Sequence, residues 1–273
     1  MELTGKVAVV TGSGGSGSGR AIALRFAREG AAVVVSDIDE AGGHETVQLI
    51  RAGNGRAAFC RANVCSEEQV RELIRFAEQE FGPLGVLVNN ASAPFHPDEP
   101  LEHWSETIET DLMGTIYGTR LAIDVMRRAG GGAIVNVTFI SALWHGRDHA
   151  APAYDAAKAA ALRLTTMLAF LGEKENIRVN CLAPGWIASE QVRAYWEPLT
   201  AEERLARHAP SRLLSLDEVA TAVHRLATDE SLSGRVLVWW SEDPPRLIPW
   251  NDRGYAALLE YPLERTAAPE SKQ

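Results

Sequence analysis

Short apolar runs alternate with amphipathic stretches along most of the chain. Runs rich in β-branched residues at Val7 to Thr11, Ala32 to Ser36, Arg56 to Arg61, Val86 to Asn89 and Ala133 to Thr138 predict strands. Between and after them, helical periodicity covers about Gly17 to Glu29, Glu67 to Phe81, Leu101 to Arg128, Ala153 to Leu171 and Leu216 to Thr228. Arg235 to Trp240 reads as a last strand, whereas Asp243 to Pro262 has no clear period. Continuous apolar runs such as Val-Ala-Val-Val and Val-Val-Val suit strands buried on both faces, and the alternation with helices predicts a parallel sheet. The expected fold is therefore α/β: one doubly wound parallel sheet of about seven strands with helices on both faces. It forms a single domain over residues 1–242, followed by an irregular extension over 243–273.

Composition narrows the function classes. A formal net charge of −9 and a pI near 5.3 argue against a nucleic-acid partner, which needs clustered Lys and Arg. Cys60, Cys65 and Cys181 form no CxxC pair, so neither a disulfide framework nor a metal site is expected. No apolar run approaches the ~20 residues of a spanning helix, and Met1 to Lys6 does not resemble a signal peptide. The expectation is a cytoplasmic protein without a membrane or nucleic-acid partner.

The first strand runs directly into Thr11-Gly12-Ser13-Gly14-Gly15-Ser16-Gly17-Ser18-Gly19 and then into the helical Arg20-Ala21-Ile22-Ala23. Glycines let a backbone approach a pyrophosphate, and a helix N-terminus offers unpaired N–H donors and a partial positive charge. The second strand ends in Ser36-Asp37, where a carboxylate can accept hydrogen bonds from ribose hydroxyls and repel a 2′-phosphate, favouring NAD over NADP. A flexible loop at the glycines and helix capping by Asp37 are the structural alternatives.

Tyr154 and Lys158 lie four residues apart on a predicted helix that follows the fifth strand. That spacing puts them on one face, and an ammonium beside a phenol lowers a pKa that is ordinarily near ~10. The tyrosine can then exchange a proton with an alcohol or carbonyl.

Taken together these motifs resemble the short-chain dehydrogenase/reductase family over roughly Leu3 to Trp240. Further matching pieces are Leu87-Val88-Asn89-Asn90-Ala91 after the fourth strand and Val179-Asn180-Cys181-Leu182-Ala183-Pro184-Gly185 at the sixth. The resemblance implies a Rossmann-like fold and hydride transfer between NAD and a secondary alcohol or ketone, with Tyr154 as acid/base and Lys158 binding the nicotinamide ribose. It implies that Gly12, Ser16, Gly17, Ser18 and Gly19 cradle the pyrophosphate, that Asn63 and Val64 lie at the adenine, and that Asn90 and Ala91 help seat the cofactor. Pro184, Gly185, Ile187 and Ser189 match the segment that binds the carboxamide. The serine that holds the substrate oxygen stands thirteen residues before the tyrosine, at Ser141; counting forward from Asn136 instead brings Thr138 near that place.

The chain also departs from the family pattern. Ser13 to Ser16 place four residues where three are usual, Asn63 replaces an aspartate, and Ser92 replaces the glycine that ends Asn-Asn-Ala-Gly. Asp111 stands where an asparagine commonly supports a proton relay from the lysine. A carboxylate facing Lys158 would offset part of the charge that lowers the Tyr154 pKa, whereas an ordinary helix aspartate would face solvent.

Trp144, Trp186, Tyr195 and Trp196 fall in the two segments that line the family's substrate pockets, where they can form an apolar cavity or simply pack a lid. The extension beyond Glu242 carries Leu247, Ile248 and Trp250, and either covers the site mouth or clasps the sheet edge. The resemblance further implies a homo-oligomer, dimer or tetramer, through the helices 101–128 and 153–171. The alternatives on the same fold are a non-redox enzyme (epimerase, dehydratase or dehalogenase) and a catalytically silent NAD-binding regulatory protein.

Overall fold

Eight strands form one sheet in the spatial order β3-β2-β1-β4-β5-β6-β7-β8 in the computed structural model, which describes residues 1–94, 101–143 and 151–251. The strands are β1 (Val7–Thr11), β2 (Ala32–Asp37), β3 (Arg56–Arg61), β4 (Leu84–Asn89), β5 (Gly132–Val137), β6 (Ile177–Pro184), β7 (Val236–Trp239) and β8 (Arg246–Leu247). Every neighbouring pair from β3 to β7 is parallel, and β8 alone runs antiparallel, pairing Val238 with Arg246 and Leu237 with Leu247. The sheet thus has eight strands rather than about seven, and residues 243–251 are not wholly irregular. Pairing with β7 supplies what local sequence does not: Ile248 N–H donates to the Val236 carbonyl and Arg235 donates to the Ile248 carbonyl. The rest of the extension lies outside the described residues.

The helices are α1 (Ser18–Arg28), α2 (Glu40–Ala52), α3 (Glu67–Phe81), α4 (Trp104–Thr107), α5 (Gly114–Ala129), α6 (Pro152–Met167), α7 (Phe170–Glu175), α8 (Glu190–Trp196), α9 (Ala201–Ala206) and α10 (Leu216–Thr228). Period-2 alternation in the strands sorts the core into two layers. Ala8 and Val10 face Ile22, Phe26, Val47 and Val223 of α1, α2 and α10, while Val7 and Val9 face Leu73, Ile74, Leu121 and Val125 of α3 and α5. Side-chain oxygens start the two helices whose limits the sequence predicts: Ser66 accepts from Gln69 N, and Ser215 forms a capping box with Glu218.

Two expected helices are interrupted. The segment 101–128 is a 3₁₀ turn, then α4, then a π-turn at Ile108–Met113, then α5. At the π-turn, Asp111 turns its carboxylate out to Ser92 and Ala93, which draws the chain out of α register, and Thr115 Oγ1 donates to the Asp111 carbonyl at 2.8 Å. The segment 153–171 breaks after Met167, where Ser233 Oγ donates to the Ala169 carbonyl and α7 begins. Among the described residues no helix is long and apolar enough to cross a membrane.

Candidate active site

The sheet order reverses between β1 and β4, the place where parallel α/β sheets open a crevice at their carboxyl ends. Glycine loop, Asp37, Asn90, Ser141 and Tyr154 all follow or end strands on that edge.

The loop after β1 is fixed on its β2 side. Ser13, fully buried, donates its hydroxyl to the Val10 carbonyl at 2.7 Å, and its N–H to the Ser36 carbonyl at 3.1 Å. Gly14 N–H donates to Asp37 Oδ2 at 2.8 Å, and Asp39 N–H to Asp37 Oδ1 at 3.0 Å. Helix α2 is capped by Asp39, so Asp37 ties the loop rather than capping that helix. Arg20 closes the same side, donating to the Gly14 carbonyl at 2.6 Å and to Glu45 at 2.7 Å. The extra residue of the loop is therefore absorbed against β2 and α2. Gly15 and Ser16 are left exposed, and Gly17 precedes the first turn of α1.

Asn90 closes the other side. Its Nδ2 donates to the Thr11 and Gly12 carbonyls, both at 3.1 Å, and its Oδ1 accepts from Ser18 Oγ at 2.8 Å. Gly12, at φ +64°, approaches so closely that a Cβ would lie 2.7 Å from the Ala91 Cα. A Cβ at Gly15 or Gly17 meets nothing within 4 Å. Crowding beneath and open space above make a cradle that fits a pyrophosphate lying against the N-terminus of α1. Asn63 is exposed at the end of β3, its Oδ1 accepting from Cys65 N–H, with Val64 buried beside it.

Tyr154 and Lys158 share one face of α6, with Lys158 Nζ 5.2 Å from the Tyr154 ring centroid. Lys158 is buried. Its Nζ contacts Asp111 Oδ1 at 2.7 Å and donates to the Val137 carbonyl at 3.3 Å. Burial works against the ammonium, but Asp111 more than offsets it and the Lys158 pKa rises. Although part of the Tyr154 residue remains exposed, desolvation pushes its phenol up to about 12; Lys158 pulls it down, and Asp111 and Asp155 push it up. Asp111 is fully buried, so the solvent-facing alternative is excluded.

Ser141 lies in a short turn, Ile140–Leu143, that packs on α6, and its buried Oγ has no hydrogen-bond partner among the described residues. The Thr138 hydroxyl is already engaged: it donates to the Leu182 carbonyl at 3.1 Å and lies 3.2 Å from Cys181 Sγ. The neighbouring Phe139 ring meets Tyr154 edge-on at 6.0 Å. Beneath these residues, Asn89, Thr119, Asn136 and Thr165 form a buried hydrogen-bonded chain that locks β4, β5, α5 and α6 together.

After β6, Gly185 N–H donates to the Trp239 carbonyl at 2.8 Å, and Ile187 bridges to Leu214. Ser189 caps α8, its Oγ accepting from Val192 N–H. Trp186 and Tyr195 stand with ring centroids 5.9 Å apart, Trp186 half-buried and Tyr195 exposed. The Trp196 indole N–H donates to the Pro210 carbonyl at 2.8 Å, and its ring is stacked on Arg204 at 3.5 Å. Trp144 lies outside the described residues.

The chain matches the family described as Enoyl-(Acyl carrier protein) reductase over residues 13–238. It is also 34% identical over 245 residues to the 7alpha-hydroxysteroid dehydrogenase of Escherichia coli (strain K12), covering 87% of this chain and 93% of that one. The chain is a short-chain dehydrogenase/reductase. A second relative, the cis-4-hydroxycyclohexanecarboxylate dehydrogenase of Sinomonas cyclohexanicum, is 38% identical over 230 residues, covering 82% of this chain and 90% of the relative. Among solved structures, a 7 alpha-hydroxysteroid dehydrogenase complexed with NADH and 7-oxo glycochenodeoxycholic acid superposes with a TM-score of 0.78 at 32% identity, covering 87% of this chain and 93% of that one.

In this short-chain dehydrogenase/reductase, Tyr154, Lys158, Asp37 and the glycine loop, which sequence spacing singles out, lie at the carboxyl edge of the sheet. What spacing misses is the Ser13 anchor of the loop and the contact of Ser92 with Asp111. The signal for the first was a serine in the place of the inserted residue; the second crosses two loops and leaves no local trace.

Proposed function

We propose that the chain is an NAD-dependent dehydrogenase of secondary alcohols that also reduces the corresponding ketones. The observation that carries this reading is the Tyr154–Lys158 pair at the carboxyl edge of the sheet, beside a buried Ser141 hydroxyl with no protein partner among the described residues. NAD, when bound, supplies the nicotinamide carbon that takes or gives the hydride. Gly12, Ser16, Gly17, Ser18 and Gly19 with the α1 N-terminus receive the pyrophosphate, Asp37 accepts from the adenosine ribose, and Asn63 and Val64 flank the adenine. Asn90, Ala91, Pro184, Gly185 and the backbone at Ile187 and Ser189 shape the nicotinamide end. Ser141 Oγ donates to the substrate oxygen, Lys158 orients the ribose, and Tyr154 passes its proton to that oxygen in ketone reduction and takes it back in alcohol oxidation.

Trp186 and Tyr195 offer an apolar ring pair suited to a cyclic secondary alcohol, in line with the hydroxysteroid and hydroxycyclohexane substrates named for its relatives; Trp144, the other aromatic candidate, lies outside the described residues. We place the enzyme in the cytoplasm as a homo-oligomer; its free cysteines suit a reducing compartment.

Titration of the purified protein with NADH and with NADPH, followed by nicotinamide fluorescence, tests the reading. Asp37 should make NADH the tighter ligand by about tenfold or more, since about 1.4 kcal/mol of repulsion suffices for that factor. Asp37→Ser should narrow the gap. Binding of neither dinucleotide would reject the redox reading in favour of non-redox chemistry on this fold.

A further inference from the structure

Two departures from the family pattern, Ser92 and Asp111, stand 19 residues apart in sequence and in contact in the fold. Ser92 Oγ donates to Asp111 Oδ1 at 2.6 Å, and Ala93 N–H donates to Oδ2 at 2.9 Å. The oxygen that Ser92 holds is the one that Lys158 Nζ meets at 2.7 Å. The carboxylate is fully buried and the Lys158 side chain is 4% exposed, so water screens this pair very little.

We propose that Ser92 and Asp111 act as one coupled positioning device, which fixes Lys158 and draws its charge away from Tyr154 so that the tyrosine keeps its proton. The inference rests on the role given to Tyr154 under the proposed function. Its consequence is directional: at neutral pH the site is set to donate a proton to a ketone, and alcohol oxidation is driven by raising the pH.

The sign follows from the groups that face the phenol. From its own helix come Lys158, which favours the phenolate, and Asp155, which opposes it; from the π-turn comes Asp111, which also opposes it. Cys181 of β6 faces Lys158, but burial pushes its thiol up to about 12, so it is neutral at ordinary pH. Burial still pushes the phenol up, so removing the Asp111 charge leaves Lys158, while it keeps its proton, opposed by burial and by Asp155 but no longer by Asp111, and the phenol pKa falls. Ser92 acts only through Asp111. Without its hydroxyl the carboxylate keeps the Ala93 anchor but loses the bond that fixes Oδ1 beside Lys158.

The experiment is an ultraviolet difference titration of tyrosinate on the full chain without cofactor or substrate, each protein measured against its own Tyr154→Phe counterpart. In the parent protein Tyr154 should stay unionised at about pH 10, the ordinary phenol midpoint. Asp111→Asn should bring its midpoint down by about one to two pH units. Ser92→Gly should give a smaller shift in the same direction, and none when added to Asp111→Asn. The acid limb of the alcohol-oxidation pH profile should move in parallel.

An unmoved midpoint in Asp111→Asn, or a Ser92→Gly shift of equal size in both backgrounds, would overturn the proposal. If Asp111→Asn fails to fold, the Ser92→Gly single variant decides: a lowered midpoint supports the coupling and an unmoved one rejects it. Because the titration uses neither NADH nor an alcohol, its outcome is separate from that of the cofactor assay. NADH binding together with unmoved midpoints would reject only the Ser92–Asp111 device.

Discussion

Tyr154→Phe should lower kcat by roughly 10²- to 10⁴-fold in both directions, the range general acid–base groups contribute, while NADH affinity changes by less than about twofold. The substitution removes only the hydroxyl. The ring remains to meet Phe139 edge-on at 6.0 Å and to lie 5.2 Å from Lys158 Nζ, so the helix face keeps its packing. Lys158→Ala is the poorer test of the same centre. It would strand the fully buried Asp111 carboxylate beside Ser92 and Ala93, and losing one partner of a buried pair costs about 3–5 kcal/mol. With the phenol pushed up to about 12, the parent enzyme should oxidise alcohol faster as pH rises, because deprotonation creates the base. The residual activity of Tyr154→Phe should lose that slope. A variant with full turnover, or one whose oxidation rate still climbs with pH, would remove Tyr154 from the chemistry.

Which parts of this protein could be read from sequence depends on whether their causes are local. α3 and α10 have the limits their periodicity predicts because Ser66 and Ser215 cap them within the segment itself. α2 was not legible, since Gly42 and Gly43 are poor helix formers. Their reason is tertiary: a Cβ at Gly42 would press on the Gly14 carbonyl, and one at Gly43 would overlap the Phe59 ring. The π-turn at 108–113 is invisible for a related cause, because the groups that draw Asp111 out of α register belong to the loop after β4. β8 likewise exists only as a partner of β7.

The site divides along the same line. Tyr154 and Lys158 are four residues apart on one helix, and Asp37 ends a strand, so spacing places them. Trp196 offered no such handle; its indole N–H is committed to the Pro210 carbonyl fourteen residues on, which only the fold of α8 and α9 could disclose. Spacing favours Ser141 over Thr138 only by the direction of counting; the Thr138 hydroxyl is engaged with the Leu182 carbonyl, whereas Ser141 Oγ has no partner among the described residues, a difference that the sequence does not carry.

Two single-methyl substitutions in the glycine loop should separate its structural from its binding role. Gly19→Ala places a Cβ that overlaps the Gly12 carbonyl oxygen and lies 2.6 Å from Asn90 Nδ2. That amide holds the Thr11 and Gly12 carbonyls and, through Oδ1, Ser18, so the clash falls on the joint between β1, β4 and α1. Overpacking of this kind costs about 1–3 kcal/mol, and at about 2–4 °C per kcal/mol the Tm should drop by several degrees. Displacing the first turn of α1 should also weaken NADH by about 100-fold, because the N–H donors lose their aim. Gly17→Ala adds its methyl where nothing lies within 4 Å, in an extended backbone at φ −90° that alanine adopts freely. Its Tm should fall by less than that of Gly19→Ala, since open space carries no overpacking cost and only the N-cap preference for Gly over Ala is lost. If the open face is where the pyrophosphate rests, the same methyl should still weaken NADH by roughly tenfold, about 1.4 kcal/mol. Unchanged NADH affinity in Gly17→Ala would move the phosphates off this face, whatever Gly19→Ala does to stability.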